Sequence, residues 1–248
     1  MKKYVFQTKD EMAAASASTT AQAIKQAIRA RGQANIVIGT GASQYEMFQH
    51  LTATRGIDWF KVVMFHLDEY VGLEPSHPGS LRHYLIENFM DKVGPLRAAY
   101  LVKGEAPDPA QECKRLGVLI QAHPIDVACI GFGENGHLAF NDPPADFETE
   151  EPYLVVQLDE RCRMQQVGEG WFKSLEEVPA RAISMSVRQI LKSRQLVATV
   201  PDLRKAEAAK NALEGPVTPQ CPASIIQQHE NCVVFLDEPA ASRLTQAQ

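Results

Sequence analysis

The sequence lacks the features that mark membrane proteins, secreted proteins and nucleic-acid-binding proteins. No apolar run approaches the ~18 residues that a membrane-spanning helix needs. Acidic residues outnumber basic residues, 30 to 25, and no basic stripe interrupts them. The N-terminal segment has two lysines but no continuous apolar core of a secretory signal. We therefore expect a cytoplasmic protein that binds neither nucleic acid nor membrane.

Cysteine and histidine are present without the spacings that indicate disulfide or metal sites. The five cysteines are odd in number, widely spaced and free of any Cys-x-x-Cys pair. They are Cys113, Cys129, Cys162, Cys221 and Cys232. The seven histidines form no recognised metal spacing. We expect reduced thiols, no metal and no cofactor.

Strand-like and helix-like segments alternate along all 248 residues, with no repeat or linker. The predicted strands are 4–6, 36–38, 62–67, 127–130, 153–158, 196–200 and 233–236. The predicted helices are 10–31, 44–51, 80–89, 110–121 and 205–213. This alternation predicts one α/β domain over residues 1–248. We expect a three-layer, Rossmann-like, mostly parallel sheet with right-handed crossovers and helices on both faces.

The most informative segment is 127–142, VACIGFGENGHLAFND, in which a predicted strand opens into a polar, glycine-rich loop. Such loops are common sites of chemistry in α/β proteins. His137 titrates near neutral pH, and Asp142 is close enough in sequence to orient its imidazole. Asn135 lies beside them. A purely structural glycine turn with a structural histidine is the alternative.

A second segment, 62–72 or VVMFHLDEYVG, carries two carboxylates where a predicted buried strand ends. The carboxyl ends of parallel strands lie at the same edge of a sheet. We therefore expect Asp68 and Glu69 to face His137 across a crevice, as an acid/base site.

A third segment, 39–43, has the composition of a phosphate-binding turn between a strand and a helix. Small residues leave backbone N–H groups exposed there, and the Thr40 and Ser43 hydroxyls add donors beside Gly41 and Ala42. Lys205, at the start of a later predicted helix, can neutralise an anion at the same edge. A ligand-free turn and a surface lysine are the alternatives.

Together these segments resemble those of glucosamine-6-phosphate deaminases, also called isomerases. HLDEYVGL at 66–73 and GFGENGHLAFNDP at 131–143 match the two long signature segments of that family. TGAS at 40–43 and RKAE at 204–207 occupy the places of its phosphate-binding segments. The resemblance spans about residues 35–237. It implies isomerisation and deamination of glucosamine 6-phosphate, or of an epimer such as galactosamine 6-phosphate, to a ketose 6-phosphate and ammonia.

The resemblance also implies roles for individual residues. Asp68 corresponds to the base that moves a proton between C2 and C1 of the open-chain sugar, and His137 to the group that assists ring opening. Asp142 and Asn135 would orient the imidazole, and Glu69 would support the site. A small-molecule sugar phosphate is then the partner, and a homo-oligomer is compatible with the sequence.

The chain departs from the family pattern at three positions. Asn135 stands where many members carry Asp, and Asp142 where many carry Glu. Within a predicted lid at about 145–180, Gln166 falls where an arginine often contacts phosphate, and Arg161 or Arg163 would have to compensate. These changes leave the identity of the sugar phosphate open.

Two other functions remain as alternatives. One is a hydrolase similar to the 6-phosphogluconolactonases, which share the fold, although their histidine loop usually continues differently from the segment 139–142. The other is a non-catalytic sugar-phosphate sensor.

Overall fold

A computed structural model describes residues 1–245 of the protein. The strands are β1 (Lys2–Phe6), β2 (Ala34–Ile38), β3 (Val62–His66), β4 (Asp68–Tyr70), β5 (Ala98–Tyr100), β6 (Val127–Ile130), β7 (Tyr153–Gln157), β8 (Arg181–Met185), β9 (Leu196–Val200) and β10 (Cys232–Asp237). The α-helices are α1 (Lys9–Arg31), α2 (Tyr45–Ala53), α3 (Leu81–Leu85), α4 (Asp91–Val93), α5 (Pro109–Gln121), α6 (Glu160–Gly168), α7 (Val187–Leu191), α8 (Ala206–Glu214) and α9 (Glu238–Ala241).

Seven strands form one parallel sheet in the order β1-β10-β9-β6-β2-β3-β5. Apolar side chains are buried on both faces, because Ile36 and Ile38 of β2 belong to one core and Val37 to the other. Helices α1 and α2 pack on the first face, and α5 and α8 on the second. The predicted three-layer α/β fold is confirmed.

The longest helix, α1, has clear sequence signals at both ends. Thr8 and Glu11 form a reciprocal capping box, and Gly32 ends the helix in the left-handed region at φ 75°. Small buried residues, including Ala13, Ala17 and Ala21, let the helix lie close to the sheet. These signals explain why the predicted helix 10–31 agrees with the observed one to within a residue.

A second, three-stranded antiparallel sheet, in the order β4-β8-β7, was not predicted. We refer to it as the small sheet. Strand β7 had been expected to join the parallel sheet, but its residues alternate between buried and more exposed, as in a sheet with one solvated face. Strands β4 and β5 have only three residues each, too short to give a periodic signal. Only Leu67 separates β3 from β4, so the chain passes directly from one sheet to the other.

The region after β4 also differs from the prediction. The single helix expected at 80–89 is an α-helical turn capped by Ser80, a π-helical turn at Ile86–Met90 and the short α4. Helix α6 was not predicted as a helix. Within residues 1–245, no helix combines the length and apolar character needed to cross a membrane.

Replacing Gly104 tests how tightly the small sheet is held. A Cβ at this position would lie 2.0 Å from the Tyr70 carbonyl oxygen in β4. Because backbone must then move, we expect Gly104→Ala to lower the free energy of unfolding by about 1–3 kcal/mol or more. The measurement is urea denaturation. The matched control is Gly168→Ala in α6, where a Cβ meets nothing within 4 Å and stability should stay equal or rise. Equal denaturation midpoints for Gly104→Ala and the parent would contradict this packing.

Candidate functional site

A cleft opens at the carboxyl ends of the central parallel strands. From β2 the chain first builds β3 and β5 on one side, and then crosses to β6, β9 and β10 on the other. The crevice created by such a reversal is where ligands bind in open α/β sheets. The cleft is lined by the loop 39–43 after β2, Leu67 and Asp68 after β3, the loop after β6, part of α6, and Lys205. Segments distant in sequence therefore meet at one place.

Asp68 lies on the cleft wall and is only 6% exposed. Burial, followed by the nearby charge of Glu69, raises the pKa of Asp68 to about 8. Within residues 1–245, no group donates a hydrogen bond to its side chain that would offset this effect, and its oxygens are not sealed from the cleft. The carboxyl is therefore mainly protonated at neutral pH without substrate, and can exchange a proton with a bound molecule.

Glu69 is directed instead at the start of α3. Its carboxylate accepts hydrogen bonds from Ser80 Oγ at 2.7 Å and from the backbone N–H groups of Tyr70, Leu81 and Arg82 at 2.8, 3.2 and 2.7 Å. Burial raises the pKa of Glu69, and these donors oppose the shift. Successive residues of a strand point to opposite faces, so Asp68 and Glu69 do not form a pair in the cleft. Glu69 connects β4 to α3.

His137 is held by a loop whose conformation requires glycine. Gly136 has a φ of 83°, and a Cβ on Gly133 would lie 2.3 Å from the imidazole ring. The Asn135 side-chain oxygen accepts the His137 backbone N–H at 3.0 Å. Nδ1 of His137 lies 3.1 Å from Asp142 Oδ1. The other ring nitrogen, Nε2, is then the one left to act in the cleft.

The Asp142 carboxylate accepts hydrogen bonds from several groups. Besides His137, Asn135 Nδ2 donates to it at 2.9 Å and the Asp159 backbone N–H at 2.9 Å. Burial alone would raise its pKa, but the hydrogen bond and charge of His137, with the other two donors, lower the pKa below its usual value. Asp142 therefore stays ionised and can hold His137 in the Nδ1–H tautomer.

One group of side chains near the cleft has the composition of a metal site. Ligand atoms of His137, Asp142 and Cys162 lie within 4.8 Å of one another. The Cys162 thiol is buried, and burial with the charges of Asp142 and Asp159 raises its pKa well above the usual range. A thiol must be deprotonated to bind a metal well. The arrangement therefore favours a hydrogen-bonded network around Asp142 over a metal site.

The predicted phosphate-binding residues also line the cleft. Gly41 has a φ of 95° and precedes a 3₁₀ turn, Ala42–Gln44, that leads into α2. Its carbonyl accepts a hydrogen bond from Tyr84 Oη at 3.2 Å, which anchors the loop. Lys205, at the start of α8, is only 4% exposed, and burial lowers its pKa. A buried ammonium beside a loop of exposed N–H groups is suited to an anion.

Helix α6 forms another wall of the cleft. Gln165, Gln166 and Glu169 reach the cleft from this helix and its end, and Gln166 is buried. Arg163 does not compensate for the arginine missing at Gln166, because its guanidinium donates to the Leu175 and Val178 carbonyls. That expectation was wrong for Arg163, whose side chain fixes the segment that follows α6.

Sequence reasoning missed the contributions of Asp159, Gln165 and Glu169. Asp159 caps α6 by accepting the Cys162 backbone N–H at 2.6 Å. An aspartate just before a helical segment is a recognised start signal, so the beginning of α6 was detectable. Its contact with the loop after β6 was not, because that contact depends on the position of the small sheet.

Comparison with known proteins shows similarity over nearly the whole chain. The family model described as glucosamine-6-phosphate isomerases/6-phosphogluconolactonase matches residues 7–235. A glucosamine-6-phosphate deaminase of Exiguobacterium sibiricum is 36% identical over 237 residues, which are 95% of this chain and 91% of the relative. One from Lactobacillus delbrueckii subsp. bulgaricus is 35% identical over 215 residues, 86% of this chain and 88% of the relative.

Solved structures agree in fold. A monomeric glucosamine-6-phosphate deaminase superimposes with a TM-score of 0.89 at 29% identity, covering 98% of this chain and 100% of the other. A 6-phosphogluconolactonase from Shewanella baltica gives a TM-score of 0.79 at 21% identity, covering 96% and 97%. The second similarity shows a shared fold alone.

Removing the buried carboxyl of Asp68 should change how stability depends on pH. With a raised pKa, the folded state binds more protons than the unfolded state between about pH 4 and pH 8, so this group's contribution to stability falls as pH rises. We expect Asp68→Asn to be more stable than the parent at pH 8, by on the order of a few kcal/mol, and to lose that advantage towards pH 4. Urea unfolding at several pH values measures it. Asp91→Asn, at an exposed carboxyl, is the control. A difference that does not grow with pH would contradict the burial effect.

Proposed function

The chain belongs to the family of glucosamine-6-phosphate isomerases and 6-phosphogluconolactonases, and we propose that it converts glucosamine 6-phosphate, or a close epimer, into a ketose 6-phosphate and ammonia. The observation that carries this proposal is the composition of the cleft. Asp68 and His137 line the same space as Lys205 and the loop 39–43, and Asp142 holds the His137 ring from behind. An acid/base pair and an anion site are what a phosphorylated aldose requires.

In the first step, His137 assists opening of the sugar ring. A proton leaves the C1 hydroxyl and a proton reaches the ring oxygen, which gives the open-chain aldehyde. Nε2 of the imidazole can accept and return a proton because Asp142 holds the Nδ1–H and stabilises the imidazolium. Asn135 helps to orient the pair.

In the second step, Asp68 moves a proton between two carbons. The carboxylate takes the proton from C2 and returns it to C1, while a proton passes from the nitrogen to the aldehyde oxygen, so that C1 becomes a hydroxymethyl carbon and the C2–N bond an imine. Water hydrolyses the imine to the ketose and ammonia. Without substrate, Asp68 is mainly protonated at neutral pH, but a substrate ammonium close to it favours the carboxylate. A base whose pKa lies near the working pH combines availability with basicity.

The phosphate group of the substrate is bound at the other end of the cleft. Lys205 supplies the charge, and the N–H groups and hydroxyls of the segment 40–43 supply donors. Gln166 contributes an amide where many family members supply an arginine. Binding of the phosphate therefore depends more heavily on Lys205 than in those family members. The burial of Lys205 reduces competition from water.

Two observations favour the deaminase over a lactonase. Relatives at 35–36% identity over most of the chain are named deaminases, whereas the lactonase fold relative is 21% identical. The carboxyl of Asp68 also suits transfer of a carbon-bound proton. An intact acid/base set favours catalysis over sensing. We assign the reaction to the cytoplasm, where five free thiols are expected to persist.

Product analysis tests the proposed reaction. The purified protein is incubated with glucosamine 6-phosphate, galactosamine 6-phosphate and 6-phosphogluconolactone, and ammonia, ketose phosphate and acid are followed separately. We expect equal amounts of ammonia and ketose phosphate from an amino sugar phosphate. Asp68→Asn should lower kcat by about 10²–10⁴-fold, since it removes the base. Asp91→Asn should retain activity. Turnover of the lactone alone would refute the proposal.

A charge substitution tests the phosphate site. Lys205→Met removes the buried ammonium, and we expect KM for the sugar phosphate to rise about 10–100-fold, the scale of one lost charge-assisted hydrogen bond. Arg204→Gln is the matched control, because Arg204 is an adjacent cation that pairs with Glu134 and is about half exposed. It should change KM little. An unchanged KM in Lys205→Met would place the phosphate elsewhere.

A further inference from the structure

Asp159 makes three contacts that join α6 to the residues holding His137. Its Oδ1 accepts the Cys162 backbone N–H at 2.6 Å and so caps the helix. Its Oδ2 accepts Asn135 Nδ2 at 3.0 Å. Its backbone N–H donates to Asp142 Oδ2 at 2.9 Å. One residue from a distant segment therefore touches both side chains that hydrogen-bond to His137, which are Asp142 at the imidazole and Asn135 at the backbone N–H.

The Asn135 amide is fully engaged by these contacts. Its Nδ2 donates to Asp142 Oδ1 at 2.9 Å and to Asp159 Oδ2 at 3.0 Å, which uses both amide hydrogens. Its Oδ1 accepts the His137 backbone N–H at 3.0 Å. A rotated amide would turn its oxygen towards two carboxylates and its NH₂ towards an N–H. The network therefore allows one orientation, and the second carboxylate enforces it.

The negative charge near His137 is larger than the loop after β6 supplies by itself. Position 135 is neutral, so Asp142 is the only carboxylate that this loop directs at His137. Asp159 adds a second carboxylate through the Asn135 amide, from outside the loop. When His137 carries a proton during ring opening, both negative charges stabilise the imidazolium.

We propose that Asp159 is a positioning residue for His137, which supplies the second carboxylate of the proton relay and connects it to α6. This rests on the proposed function of the cleft. The same helix carries Gln165 and Gln166 on the cleft wall. A bound substrate that shifts α6 therefore changes the contacts around Asp142 as well. Proton transfer at His137 is then most effective when this wall is in place.

Other ionisable groups surround His137, and the test must separate their effects from that of Asp159. Asp142 comes from its own loop, Cys162 from α6, and Asp68 from β4 across the cleft. Lys205 and Glu169 line the cleft further along. All of them remain in the variants below, so a change specific to position 159 can be recognised.

The first experiment is Asp159→Asn. Asparagine remains a good helix cap, and the backbone N–H to Asp142 is kept, so the change removes mainly the charge and the acceptor for Asn135. We expect kcat for glucosamine 6-phosphate to fall about tenfold or more, with KM changed less than about twofold. The acidic limb of the kcat pH profile should move to lower pH, because the protonated form of the relay loses one nearby negative charge.

The decisive experiment moves the carboxylate instead of removing it. In the double variant Asn135→Asp with Asp159→Asn, an amide and a carboxylate exchange places and the total charge is restored. We expect most of the kcat and the parental pH profile to return. If Asp159 only supported the fold, moving the carboxylate to position 135 would not restore kcat. Asp159→Ser also keeps a capping side chain and lacks the charge, and it is the second variant in case Asp159→Asn folds poorly. It should show the same losses.

Two results would overturn the proposal. One is a parental kcat and a parental pH profile of kcat in both Asp159→Asn and Asp159→Ser. The other is an exchanged variant, folded by circular dichroism, that recovers neither quantity. If the parent protein releases no ammonia from any hexosamine 6-phosphate, the proposed function fails instead. In that case the imidazole NMR signals of His137, compared at one pH between the parent and Asp159→Asn, still test whether Asp159 positions the ring.

Discussion

Reversal of the strand order at β2 is the constraint on which the cleft depends. Because β3 lies on one side of β2 and β6 on the other, the loops that follow these three strands open onto a common crevice. Each loop brings a different kind of group: backbone N–H groups after β2, a carboxyl after β3, and an imidazole after β6. The direct passage from β3 into β4 turns Asp68 into this crevice and Glu69 away from it.

Two aspartates in this cleft have opposite properties because their surroundings differ. Asp68 is buried near another carboxylate, and its pKa is raised to about 8. Asp142 accepts hydrogen bonds from a ring nitrogen, an amide and a backbone N–H, and its pKa is lowered. One carboxyl is thereby poised to exchange a proton, and the other remains a fixed negative charge. Such separation of pKa values within one site is a common way to divide acid/base roles.

Local signals predicted the long elements well, and failed where elements were short or one-sided. Helix α1 has a capping box and a C-terminal glycine, and buried strands such as β3 are continuous apolar runs, so neighbouring residues suffice to identify them. The small sheet has no comparable signal. Its strand β4 takes on an extended, paired conformation only because β8 arrives from more than a hundred residues away.

The same distinction holds for the cleft. Residue types and their order along the chain were enough to predict that Asp68, His137 and the segment 40–43 meet at one edge of the sheet, and these residues do line one cleft. Which way each side chain faces, however, was decided by packing. Glu69 is next to Asp68 in sequence yet caps α3, and Asp159 contacts Asn135 across 24 positions of the chain. Directions and long-range contacts follow from the arrangement of whole elements, which adjacent residues do not encode.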